Sequence, residues 1–371
     1  MSGRSDLSIA AYSAGTSSRL TRKVFLAGSD GSTNCLAFLA RLLAGLGREQ
    51  KFAAVLYWTW SCRPGMLSAE AVDVFAWACR SRDCASLRTG VPCWLEGMNL
   101  MAAKSKISLL DLGRLDVDDG FFIRGATAAV QSNPHPAHER RRVAVVAAVI
   151  EHPQAGPILF ETGCAQNAQE EWPEPAWEAF PRNVYNDEHH LDNALAAAGY
   201  GIGDIRAVVM GHLHLDHAGG LEKFAGSDVP IYAHEKEIKE HYYAVATKED
   251  IGAYLPAYLN WQLNWQPLHR EETELFDGLT VRHMPGHTPG LLTMQVETQN
   301  SGHFMLNSDL YHVRDVFEQD LTQGWLGRDS HTWYRSHRWM RQLQHRYDAT
   351  MVYGHDATVL EELTKQAKTF D

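Results

Sequence analysis

The chain has 371 residues, 45% hydrophobic and 21% charged, with a formal net charge of −11 and a pI near 5.9. That length allows one large domain or a domain with an appendage, and the apolar fraction suffices for a sizeable core. The acidic balance disfavours a nucleic-acid partner. No apolar run has the length of a membrane span, since "NCLAFLARLLAGLG" (34–47) carries Arg41 and "FAAVLYWTW" (52–60) is short. A membrane partner is therefore not expected.

Basic residues stand near the N-terminus at Arg4, Arg19, Arg22 and Lys23, without a continuous apolar core and cleavage site behind them. No N-x-S/T sequon occurs, and a cytoplasmic protein is expected. The cysteines Cys35, Cys62, Cys79, Cys84, Cys93 and Cys164 form no C-x-x-C pair. They read as buried or free thiols in a reducing compartment rather than a zinc knuckle.

Composition divides the chain near residue 105. Residues 1–105 carry 12 Lys+Arg against 7 Asp+Glu and contain no histidine; the remainder carries 22 against 38 and all 19 histidines. Residues 1–105 are accordingly read as an N-terminal appendage of unassigned function, with helices at 34–46 and 68–80 or little order. Residues 106–371 are read as the functional domain, and a chain begun near Arg114 is expected to keep the site.

From about residue 118 strands and helices alternate. "RRVAVVAAVI" (141–150) and "GPILFETG" (156–163) read as strands across the turn "EHPQAG". "HHLDNALAAAGY" (189–200) reads as a helix stopped by Gly199 and Gly201, and "IRAVVM" (205–210) as a buried strand. "GYGIGD" (199–204) leads into a strand, so its glycines belong to a connecting loop rather than a dinucleotide site. Further strands are expected at 229–234, 279–284, 291–297, 303–309 and 349–356, with a closing helix at 358–370. Mixed elements with polar residues at strand ends suggest an α/β fold of the αββα sandwich type. "YLPAYLNWQLNW" (254–265) spaces Tyr254, Tyr258, Trp261 and Trp265 at helical intervals, either as core or as a lid over an apolar substrate.

The chemistry concentrates in "VVMGHLHLDHAGG" (208–220), with His212, His214, Asp216 and His217 within six positions. Neutral imidazoles and a carboxylate suit a borderline cation such as zinc. Three more polar residues follow strand-like runs: His287 in "HMPGHTPG", Asp309 in "LNSDLYH" and His355 in "VYGHD". Seven N/O ligands without sulfur describe a binuclear site.

This arrangement resembles the metallo-β-lactamase fold hydrolases with the H-x-H-x-D-H motif, and among them the N-acyl-homoserine-lactone lactonase branch. The likeness covers roughly residues 118–360, supported by "HAGG", "PGHTPG" and "GHD". It implies that His212, His214 and His287 hold one metal, that Asp216, His217 and His355 hold the other, and that Asp309 bridges them. Two Zn2+ per chain follow as cofactor, with manganese, iron or cobalt admissible at an N/O site.

The resemblance implies a hydrolase that opens a small lactone or related lactam by attack of a metal-bridging hydroxide, with Asp216 as proton shuttle. Its partner is then a small cyclic ester or lactam, and a homodimer stays open. A glyoxalase-II-like thioesterase and a non-catalytic binding protein on the same fold are the alternatives. Glu161 in "FETG" stands where the branch usually has Asp, either bracing the metal loop or merely solvated. Where the branch commonly has a tyrosine three residues beyond the bridging aspartate, this chain has His312, with Tyr311 beside it. Both are candidate carbonyl-polarising groups, Tyr311 slightly favoured. Cys164 reads as a buried thiol rather than a nucleophile.

Overall fold

The computed structural model describes residues 104–250 and 253–371, all within one unit, Asn99–Asp371. The helices expected at 34–46 and 68–80 lie outside the described residues. The first strand, β1 (Lys106–Asp118), enters before the point where alternation becomes visible in the sequence. Gly113, at φ 107°, accompanies a register shift between Asp111 and Arg114 that interrupts its pattern.

β1 pairs antiparallel with β2 (Arg140–His152), from Lys106↔Glu151 to Asp118↔Arg140. The run Val143–Ile150 is buried throughout, as expected of a central strand covered on both faces. β3 (Gly156–Phe160) is antiparallel to β2 across the expected turn. Next come helix α1 (Leu191–Ala198), closed by Gly199 at φ 98°, and β4 (Ala207–Val209). β5 (Pro230–His234) leads directly into α2 (Glu235–Thr247), and β6 (Asn264–Leu268) completes a six-stranded sheet ordered β1-β2-β3-β4-β5-β6.

The second sheet, ordered β11-β10-β9-β8-β7, uses β7 (Glu272–Phe276), β8 (Leu279–His283), β9 (Leu292–Glu297), β10 (His303–Leu306) and β11 (Thr350–Val352). Helix α3 (Ser330–Tyr347) separates β10 from β11, and α4 (Ala357–Gln366) follows β11. Asp329 and Asp356 cap α3 and α4 by accepting from the Thr332 and Val359 amides. One buried apolar cluster draws on both sheets, and α1 and α4 pack on β1. The result is the expected αββα sandwich. Among the described residues no helix is long and apolar enough to cross a membrane.

Helical periodicity at 254–265 is not realised. Pro256–Tyr258 forms one 3-10 turn, and Trp265 lies on β6. The pairing Ile231↔Trp265 draws the segment's end onto the sheet edge instead. A chain begun near Arg114 would lose β1 from Lys106 to Gly113, and with it the pairing of Lys106–Asp111 to Val146–Glu151.

Candidate metal centre

Strand register assembles the site. β3 and β4 run parallel with Phe160 opposite Val209, so Glu161 and the loop starting at Met210 leave the sheet side by side. β10 and β11 are parallel with Leu306 opposite Val352, and Asp309 and His355 each stand three residues beyond that pair. His287 sits in the turn between β8 and β9. Each sheet thus delivers turns that bear the expected ligands from strand ends.

The loop after β4 folds back on itself, the amides of His217 and Ala218 both donating to the His214 carbonyl. Gly211 is required by close approach: a Cβ there would stand 2.3 Å from Glu161 Oε1 and 2.4 Å from Ser308 Oγ. Gly219 is equally confined, its missing Cβ meeting the Ala165 amide nitrogen at 1.9 Å. The glycines around the motif let polypeptide segments touch.

Hydrogen bonds fix the imidazole tautomers. Ser308 Oγ donates to Glu161 Oε1 (2.6 Å), so the contact from His212 Nδ1 (3.1 Å) makes that nitrogen the donor. Gln323 Nε2 donates to the carbonyls of Asp309 and Leu310, leaving its Oε1 to accept from His287 Nδ1 (3.2 Å). His355 Nδ1 donates to the Ala144 carbonyl (2.8 Å). His217 Nδ1 faces Glu161 Oε1 at 3.3 Å. His212, His287 and His355 therefore turn an Nε2 lone pair inward, and His217 presents its Nε2 on the same side, an arrangement suited to cation ligation.

All four converge on Asp309. Its Oδ2 lies 3.8 Å from His212 Nε2 and 3.4 Å from His287 Nε2. Its Oδ1 lies 3.3 Å from His217 Nε2 and 3.2 Å from His355 Nε2. His214 Nδ1 joins the first side, 3.0 Å from His287 Nε2. Asp216 Oδ2 joins the second, 3.5 Å from His355 Nε2. His212 Nε2 and Asp309 Oδ1 are buried with no hydrogen-bond partner. Lone pairs aimed at a buried carboxylate repel it unless positive charge stands between them, so the residues fit divalent cations. His212, His214 and His287 form one such group, and Asp216, His217 and His355 another.

Burial pushes the pKa values of His212, His214 and His287 well below the usual imidazole range, neighbouring histidines adding to the effect. At His217 and His355 burial also opposes charge, but Asp309 and Asp216 outweigh it and raise the pKa. Around Asp309 burial is overcome by His355, His217, His312 and His212, which hold the carboxyl well below its ordinary range. Protons would therefore compete with a cation chiefly at His217 and His355.

Beside these groups opens a cavity of about 400 Å3. His214, Asp216, His287, Asp309 and His355 line its floor. Leu115, Val117, Phe121, Phe122, Phe180 and Trp325 form an apolar wall. Arg328, also in the lining, is engaged by Asp250 (Nε–Oδ2 2.8 Å) and by the carbonyls of Trp325 and Leu326.

The seven expected ligands come together. Of the two candidate polarising groups, Tyr311 does not join them. Its hydroxyl is 2.9 Å from His337 Nδ1 among the rings of Phe317, Trp333 and Tyr353, and it lines no part of the cavity. His312 faces Asp309 instead, and it too lines no part of the cavity. The turn at 309–312 rotates consecutive side chains apart, which spacing alone does not reveal.

Glu161 is buried at φ 63° and braces both His212, through Ser308, and His217. Cys164 is buried and its thiol is pushed up to about 12, chiefly by burial, leaving it a poor nucleophile. The lid reading of 254–265 is replaced by a bracing one. Tyr254 packs against the His214 ring (centroids 4.7 Å apart) and donates to Glu237, while Trp261 points to solvent.

Glu237 escaped detection in the sequence because "HEKEIKE" resembles any solvated helix start. It is fully buried, accepting from the Leu213 amide (2.9 Å), the Gly290 amide (3.2 Å) and the Tyr254 hydroxyl (3.0 Å). One carboxylate therefore ties the H-x-H loop to the turn carrying His287. Gln323 gave no sequence signal either.

Residues 140–355 match the metallo-beta-lactamase superfamily. The chain belongs to this superfamily. It is 28% identical over 276 residues to N-acyl homoserine lactonase AiiB of Agrobacterium fabrum, covering 72% of this chain and 99% of that protein. It is 27% identical over 206 residues to an N-acyl homoserine lactonase of a Bacillus species, covering 55% and 78%. A solved N-acyl homoserine lactone hydrolase, carrying its product N-hexanoyl-L-homoserine at the metal centre, superposes with TM-score 0.58 at 22% identity, over 71% of this chain and 97% of that one. This superfamily member stands with the lactonase-like branch, a group of hydrolases.

Proposed function

We propose that this chain is a metal-dependent lactonase holding two divalent cations, zinc foremost, and opening a lactone that bears an apolar acyl substituent. The observation that carries this reading is the convergence of four inward Nε2 atoms on the two oxygens of Asp309 beside an apolar-walled cavity. His212, His214 and His287 would hold one cation with Asp309 Oδ2; Asp216, His217 and His355 would hold the other with Oδ1. Bound there, such cations polarise an ester carbonyl and acidify a water.

The chain's own groups supply the rest. The apolar wall excludes water and receives the acyl group, placing the ring over the floor. Asp216, only 17% exposed at its side chain, lines the cavity and can pass a proton to the leaving oxygen. A glutathione-type thioester suits the cavity poorly. Its carboxylates would need free Lys or Arg, and Arg328 is already engaged by Asp250.

Metal analysis with a panel of acyl lactones, lactams and lactoylglutathione tests this. Turnover of lactones with proton release in weak buffer, lost on chelation and restored by zinc, is expected. Full activity after exhaustive chelation would sink the proposal, and fast cleavage of lactoylglutathione alone would make the chain a thioesterase.

A further inference from the structure

His312 is fully buried and lines no part of the cavity, so it is not placed to touch a substrate there. Its Nε2 lies 3.2 Å from Asp309 Oδ2, the oxygen that also faces His212 and His287. Neither ring nitrogen has a hydrogen-bond partner. The ring plane is set instead by stacking on Phe122, with centroids 4.4 Å apart and planes 11° from parallel. The His287 ring meets it edge-on at 5.1 Å. The backbone is pinned as well, the His355 amide donating to the His312 carbonyl at 2.8 Å. A buried imidazole with both nitrogens unpartnered is costly, and an inward nitrogen beside a carboxylate invites a cation.

We propose that His312 Nε2 is an eighth donor of the centre, on the side of His212, His214 and His287. His287, Asp309 and His312 already bring ligand atoms within 4.8 Å of one another. The centre is then unequal. The Oδ2 side offers four imidazoles, and the Oδ1 side offers two imidazoles and the Asp216 carboxylate. Borderline cations that favour imidazole settle first and leave last on the nitrogen-rich side. Phe122, by orienting the ring, is a positioning residue for that side. The inference rests on the two-cation reading above.

The test titrates the full chain, stripped with chelator, with Co2+ alone, following stoichiometry, visible absorption and competition with a chromophoric chelator. Wild type should bind two Co2+ with distinct affinities. His312→Phe, which preserves stacking on Phe122, should weaken the tighter site by roughly 10–100-fold, the range commanded even by groups that only orient a ligand. Its absorption should change while the weaker site stays as it was, and His312→Gln should recover part of the loss. If folded His312→Phe binds both ions with wild-type affinities and spectrum, His312 merely contacts Asp309 and the proposal fails alone. Where His312→Phe does not fold, His312→Gln carries the same comparison, and wild-type behaviour there overturns the proposal. A wild type that binds no cobalt removes the two-cation reading and this inference together.

Discussion

The floor and the wall of the cavity are built by different means. On the floor, donors are placed by hydrogen bonds: Ser308 and Glu161 behind His212, Gln323 behind His287, the Ala144 carbonyl behind His355. The wall is placed by packing, with Phe121 edge-on to Phe180 (5.0 Å) and to Trp325 (5.4 Å), and β1 supplying Leu115 and Val117. Directional bonds hold atoms to fractions of an ångström, as ligation demands. Apolar contacts fix volume and tolerate change of shape. The floor is therefore expected to govern whether reaction occurs, and the wall which substituent is accepted.

Breaking the floor has the largest effect. Asp309→Ala, or His212→Ala, should reduce turnover to background and lower the cation content, measured by elemental analysis. Full metal occupancy with retained activity would show that these residues do not form the centre. Starting the chain at Arg114 attacks the wall through β1, and aggregation or a large drop in Tm is expected against a chain started at Lys104. Equal thermal stability of the two would mean that β1 contributes little before its bulge.

Glu237 joins floor to scaffold, and its effect is one of pH. Burial raises its pKa from the ordinary 4.5 to about 7, so between these values the folded state keeps a proton that the unfolded state has released. Its stabilising share is full below about pH 4.5 and is lost as pH rises through about 7. The amide introduced by Glu237→Gln stays neutral throughout. Across that window the stability difference between wild type and variant should therefore move by about 3 kcal/mol in the variant's favour. A pH-independent difference in urea melts would contradict this.

Phe180→Ala should raise KM roughly 10–150-fold for long acyl lactones, in line with the roughly 1.5–3 kcal/mol gained by burying an apolar side chain, and leave kcat nearly unchanged. An equal loss for short and long acyl groups would place the acyl chain elsewhere. The smallest effect on turnover is expected for Tyr311→Phe. Removing the hydroxyl that meets His337 should cost about 1 kcal/mol of stability and change kcat by less than about twofold. A loss near the roughly 2.7–4 kcal/mol of a deleted oxyanion donor would return Tyr311 to the reaction.

The candidate ligands at 212–217 were legible because one loop carries four of them within six positions. His287, Asp309 and His355 were legible because each follows a short apolar strand and stands in a glycine-marked turn or beside a serine. Local chemistry and strand periodicity sufficed for these and for most strands of both sheets. Tertiary structure alone decided which oxygen of Asp309 each histidine faces, since that depends on the parallel register of Leu306 with Val352 and of Phe160 with Val209. It also decided that His312 rather than Tyr311 turns inward, and that Glu237 is buried beneath two loops. The cavity wall, too, comes from β1 and the segments around Phe180 and Trp325 instead of 254–265. These depend on contacts between residues far apart in the chain, and neither composition nor period records such contacts.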